Sequence, residues 1–185
     1  MPDRIAGSVA HPPTVPRRAA EWLAQAERDR VAREQRWALA RVSGIRDEET
    51  LEGLRRLGLT ADALPALDLA PAVLVGWADG TMSRLERDRL RVLALRRGIG
   101  EGHPAWAILQ RWMLHCPDPQ AEQILLTALH ARLDRLPVRT RLKRRAAILE
   151  DGEAVARAVG RVLGGAKVCR HERHALARLE ARLAG

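Results

Sequence analysis

The stretch WADGTMSRLERDRL, residues 77–90, sets Asp79 and Gly80 ahead of Met82, Ser83 and Glu86. That order matches part of a calcium loop, where Asp is common at the fifth position, Gly at the sixth, an apolar residue at the eighth and Glu at the twelfth. The first and third positions fall on Val75 and Trp77, which cannot ligate, so a full EF-hand loop is excluded. Two carboxylates, backbone carbonyls and the Ser83 hydroxyl remain. They suit a weak site for a hard divalent cation, calcium or magnesium rather than zinc, completed by water or by a second segment. The same residues also have a purely structural reading. Gly80 supplies the left-handed conformation that ends a helix, Ser83 caps the next one, and Glu86 reaches back to the Ser83 amide in a capping box. Asp79 stands outside that scheme, because a carboxylate at a helix C-terminus faces the negative end of the dipole; it can compensate by accepting amides of the following turn.

Other residues with chemical potential are sparser. CRHERH, residues 169–174, gathers the Cys169 thiol with His171 and His174, three apart and able to share a helix face. No second ligand pair at zinc-finger spacing accompanies them, and the HExxH pattern of metalloproteases is absent, so surface histidines on a last helix are expected. RTRLKRR, residues 139–145, is the densest basic run, and on a helix its charges spread round most of the circumference, as a solvated helix start would. Gly164-Gly165 lacks the spacing and the following Lys-Ser/Thr of a phosphate loop. The few serines lie in the N-terminal arm, before Gly44 and in the Asp-Gly turn, leaving no nucleophile–base order to argue. No enzyme is expected.

The elements that must position these residues read as helices throughout. Residues 1–16 hold Pro2, Pro12, Pro13 and Pro16 with little apolar content and read as a disordered arm. RRAAEWLAQAERDRVAREQRWALARV, residues 17–42, is free of Gly and Pro and carries a narrow apolar stripe through Trp22, Leu23, Ala26 and Trp37. One long charged helix is expected there, with Trp22 and Trp37 as candidate partner contacts. Asp47 opens a short helix closed by Gly58, and Asp68 is expected to cap a helix with Pro71 in its first turn, inward at Ala70, Val73, Leu74 and Trp77. Ser83 to Arg97 follows, inward at Leu85, Leu90, Leu93 and Ala94, with Gly98 as its stop. Further helices run from Pro104 to His115, from Asp118 to about Leu136, from Arg139 to about Leu163 with a weak point at Gly152, and from Cys169 to Leu183. No period-two pattern occurs, so the fold is expected to be all-α, a compact multi-helix bundle. Three segments follow: an arm over 1–16, a helical extension over 17–67 and a helical domain over 68–185.

Residues 70–93 set above 156–179 match at Ala70/Ala156, Val73/Val159, Arg84/Arg170, Glu86/Glu172, Arg87/Arg173, Leu90/Leu176 and Leu93/Leu179, among others. These fall on core-facing and turn positions, as in two degenerate helix–turn–helix repeats about a pseudo-twofold axis. LVGWADGTMSRLERDRLRVLALRRGI, an apolar helix ending in Ala-Asp-Gly, a short turn, then a Glu-led amphipathic helix ending near Gly-Ile, resembles the signature of the tellurite-resistance protein B (TerB-like) family. The resemblance covers about residues 68–183. It implies an all-helical fold of two related halves, an acidic patch proposed to bind divalent metal, and a role in bacterial stress, metal, tellurite or defence responses. Asp79 and Glu86 match the acidic motif. In the second half Glu172 matches, while Gly165 stands where Asp is wanted and Cys169 replaces Ser.

Bulk properties bound the rest. The 185 residues carry a formal net charge of +9, which invites a nucleic-acid reading. Lysine appears only at Lys143 and Lys167, so the excess is arginine within an Ala/Arg/Leu-rich chain, and without Phe or Tyr the usual stacking platform for single strands is missing. A protein partner is favoured over nucleic acid, and contact with a membrane surface through the basic run stays open. No apolar run reaches the roughly 18 residues of a membrane span, and two cysteines are too few for a disulfide framework. A cytoplasmic binding or scaffold module is the expectation. An ion-free assembly component docking through the N-terminal helix is the alternative, and a basic nucleic-acid binder a third reading.

Overall fold

Strong helix formers interrupted by capping residues give a chain whose regular elements are all helical. The computed structural model describes residues 17–160 and 169–184, and among them there is no strand. The arm expected over 1–16 and the Gly164-Gly165 pair lie outside those residues. Eight α-helices follow in order: α1 (Arg17–Ser43), α2 (Glu48–Arg56), α3 (Ala70–Gly76), α4 (Arg84–Arg96), α5 (Pro104–Leu114), α6 (Pro119–Asp134), α7 (Val138–Gly160) and α8 (Arg170–Ala184), with a 3-10 segment over Leu64–Leu69 before α3. Their starts are fixed by side chains that take up orphan amides. Asp47 accepts from Thr50 N at 2.7 Å, Asp118 from Ala121 N at 2.7 Å, and His103 Nδ1 from Ala105 N at 3.1 Å.

Two units divide the chain after Arg33. The described residues of the first, 17–33, are a helical stretch held by local contacts on its own surface, such as Arg30–Glu27 at 2.6 Å and Gln25 Nε2 donating to Asp29 at 2.9 Å. Trp22 is 70% exposed there. The second unit begins at Glu34, and its core reaches back to Leu39, Ile45, Leu51 and Leu54, all almost wholly buried. The end of α1 and the whole of α2 therefore belong with the later helices rather than to a separate extension ending at residue 67. The reason is amphipathicity: α2 presents Thr50, Leu51, Gly53 and Leu54 on one buried face and packs against α6.

Within this unit α3 and α4 form one helical hairpin and the second half of α7 with α8 forms the other. Crosswise packing, α3 on α7 and α8 and α4 on α7, joins the two repeats. Close approach depends on missing side chains: a Cβ at Gly152 would lie 3.1 Å from Leu176 Cδ2 and 3.5 Å from Val75 Cγ2. Gly152 is thus no break in α7, which continues to Gly160; it is the place where α8 and α3 meet the helix backbone.

Two further expectations are corrected. Asp68 caps nothing: Leu69 holds the cap position of α3 without a side-chain bond. Asp68 is buried instead and pairs with Arg132 at 3.1 Å and Arg144 at 2.5 Å, which draws the 3-10 segment onto α6 and α7. Leu85 faces outward, and the inward residue on that turn of α4 is Glu86. A short N-terminal turn committed to a capping box must point its third residue back over the helix end, which here is the buried side.

Candidate functional site

The Asp79 turn forms where α3 runs out. Trp77 closes that helix and anchors it by donating its indole Nε1–H to the Trp112 carbonyl at 2.8 Å. Gly80 takes a φ of +89°, which reverses the chain with nothing near its α-carbon, so backbone conformation alone selects glycine. Asp79 Oδ1 accepts from Thr81 N at 2.9 Å and from the Thr81 hydroxyl at 3.1 Å, folding the carboxylate over the turn as expected of an Asp beyond a helix end. Two residues on, Ser83 Oγ accepts from Glu86 N at 3.3 Å while Glu86 Oε2 accepts from Ser83 N at 2.6 Å. The capping box is complete.

The second repeat reproduces it with different chemistry. Cys169 Sγ accepts from Glu172 N at 3.3 Å, and Glu172 Oε2 accepts from Cys169 N at 2.6 Å. The thiol stands in for the hydroxyl. Glu86 and Glu172 are 5% and 6% exposed, a level of burial that a carboxylate tolerates only with partners. In each, Oε2 is committed to the cap, and among the described residues nothing donates to Oε1.

The Glu172 charge also bears on Glu86. Burial pushes the Glu86 carboxyl above the usual carboxylate range, the two Ser83 interactions pull it down, and the charges of Glu172 and Asp79 push it up again. Acidic charges from both halves of the repeat thus bear on Glu86. The arrangement can attract a cation or share a proton. A stricter condition is not met: among the described residues no group of three or more His, Cys, Asp or Glu side chains is placed to hold a metal ion. Any cation here would keep much of its own water shell.

The remaining candidates separate. Trp37 is 69% exposed, with the Arg41 guanidinium over one face of its ring, 5.7 Å from the centroid, and Trp22 is likewise exposed. His171 and His174 lie on the outer face of α8 and Cys169 at its exposed start. The basic run opens α7, where Arg144 serves Asp68, Arg141 pairs with Asp134 at 3.3 Å, and Leu142 is exposed. Sequence reasoning missed the Asp68–Arg132–Arg144 cluster and the part-buried Arg97–Asp151 pair. Their partners lie too far apart in sequence for any local pattern to join them. It also missed His103, whose place directly before Pro104 was the available signal of an N-cap.

No protein-family model, curated protein or solved structure matches the chain.

Proposed function

We propose that this chain is a non-catalytic helical binding module of the TerB-like kind, acting as a scaffold in a bacterial stress, metal or tellurite response, with a hydrated divalent cation bound at the junction of Asp79, Glu86 and Glu172. The observation that supports it most is the pair of buried glutamates in equivalent capping boxes, one from each repeat, with a third acid beside them. Burying like charges together is unfavourable unless a proton or a cation offsets them. Magnesium fits such a donor set best, because it keeps several waters and is commonly held through one or two carboxylates; calcium fits next, and zinc poorly.

The test is a thermal melt of metal-stripped protein with and without millimolar magnesium, calcium, manganese or zinc, run beside Asp79→Asn. Stabilisation by several degrees with magnesium or calcium, reduced in the variant, supports the reading. Equal melts under all conditions leave the junction as helix punctuation. The ion-free alternative, assembly through α1, is supported by the exposed Trp22 and Trp37. It is tested by whether removal of residues 1–33 together with Trp37→Ala changes the oligomeric state or abolishes capture of a partner.

A further inference from the structure

The outer face of α8 carries a second feature that the acidic junction does not use. Ala78, just past the end of α3, and four side chains of α8, Arg170, His171, His174 and Arg178, line an open groove of about 460 Å³. Among the described residues no carboxylate lines it, and none of those four side chains makes a hydrogen bond or ion pair to another of them. Several other arginines have counter-charges: Arg36, Arg55 and Arg56 share Glu52, and Arg132 and Arg144 share Asp68. Here Arg170 opens the helix, where the dipole favours negative charge, and Arg178 follows two turns on, with His171 and His174 between them.

Arg178 is shared with a neighbouring apolar groove of about 280 Å³, floored by Leu74, Val75, Leu126 and Leu179 and edged by Glu122 and Arg182. Pro71, Leu74 and Val75 of α3 line this second groove and Ala78 the first, so the two lie end to end along α8, the apolar floor towards its C-terminus. From Arg170 to Arg182 the helix rises about 18 Å. The cationic half alone, Arg170 to Arg178, rises about 12 Å, more than one carboxylate can bridge.

We infer that this double groove docks a peptide segment of a partner protein that carries two or more acidic residues followed by apolar anchor side chains, acids over Arg170–Arg178 and anchors over Leu74–Leu179. A single-headed amphiphile would fill the apolar half and leave most of the cations unmatched. Nucleic acid would match the cations and leave the apolar half empty.

The test is panning of a phage library of randomised peptides on the full chain, repeated on Arg170→Glu/Arg178→Glu, whose altered side chains are solvent-facing; a melt checks that it folds. Enrichment of peptides with clustered Asp or Glu beside Leu, Trp or Phe is expected. A synthetic copy of the leading peptide should lose roughly tenfold or more in affinity to the charge-reversed protein, and a copy with its apolar residues changed to Ser should lose binding comparably. Enrichment without acidic bias, no enrichment, or equal binding to the reversed protein overturns the inference. Tight capture of a labelled oligonucleotide that competes with the peptide at the same arginines also overturns it, reassigning the groove to nucleic acid.

Discussion

Glu86 gains one backbone amide on folding and loses most of its water, and its carboxyl rises above the usual range because burial and two neighbouring acids outweigh the cap. A raised carboxyl binds its proton more tightly folded than unfolded. Protonation therefore stabilises the fold fully below the ordinary carboxylate range, and that contribution fades as pH rises through the raised value. Glu86→Gln keeps an oxygen for the Ser83 amide and removes the charge. In chelator at pH 7 it is expected to unfold at a denaturant concentration no lower than wild type, with the difference shrinking towards pH 4; a deficit that is the same at every pH would show that the charge is irrelevant. Cys169 offers a parallel case, since sulfur is a weak acceptor. Cys169→Ser should stabilise by about 0.5 kcal/mol and Ser83→Ala should cost about 1 kcal/mol, both read from urea midpoints. At this scale the Ser83–Glu86 box and the Asp79 turn were legible, because capping is a local pattern. The Cys169–Glu172 box was legible only as a mismatch in the repeat, because thiols seldom cap.

Helix ends marked by Asp47, Gly58, Gly98 and Asp118 were readable for the same local reason. What holds one helix to another was not. Asp68 stands before Pro71 as a cap should, yet two arginines more than sixty residues away take its carboxylate into the interior. Asp68→Asn is expected to cost about 2 kcal/mol, less than a fully buried pair because Arg144 is about half exposed, and Arg144→Ala should cost less than Arg132→Ala. Gly152 likewise looked like a weakness when read along one helix, and became a contact once α3 and α8 were placed on it. Gly152→Val should destabilise by about 1–3 kcal/mol by wedging Leu176 and Val75 outward, as measured by chemical denaturation. An unchanged midpoint would mean that α8 yields freely at this contact.

Taken whole, the described residues are all-helical, and no helix among them is long and apolar enough to cross a membrane. Composition and periodicity made the fold class legible, and the offset of 86 residues in the sequence alignment of the two halves made the repeat legible. The unit boundary was not, because the helical pattern of α1 runs on past Arg33 without a break. Removal of residues 1–33 should leave the melting temperature of the rest within about 2 °C, since its core starts at Leu39. The most direct test of a cation joining the two halves is a manganese titration of metal-stripped protein followed by electron paramagnetic resonance, with Glu86→Gln/Glu172→Gln alongside. One manganese per chain, displaced by magnesium and absent from the double variant, is the result expected of a cation held by both glutamates. Manganese binding unchanged in the variant, or none at millimolar metal, would contradict it.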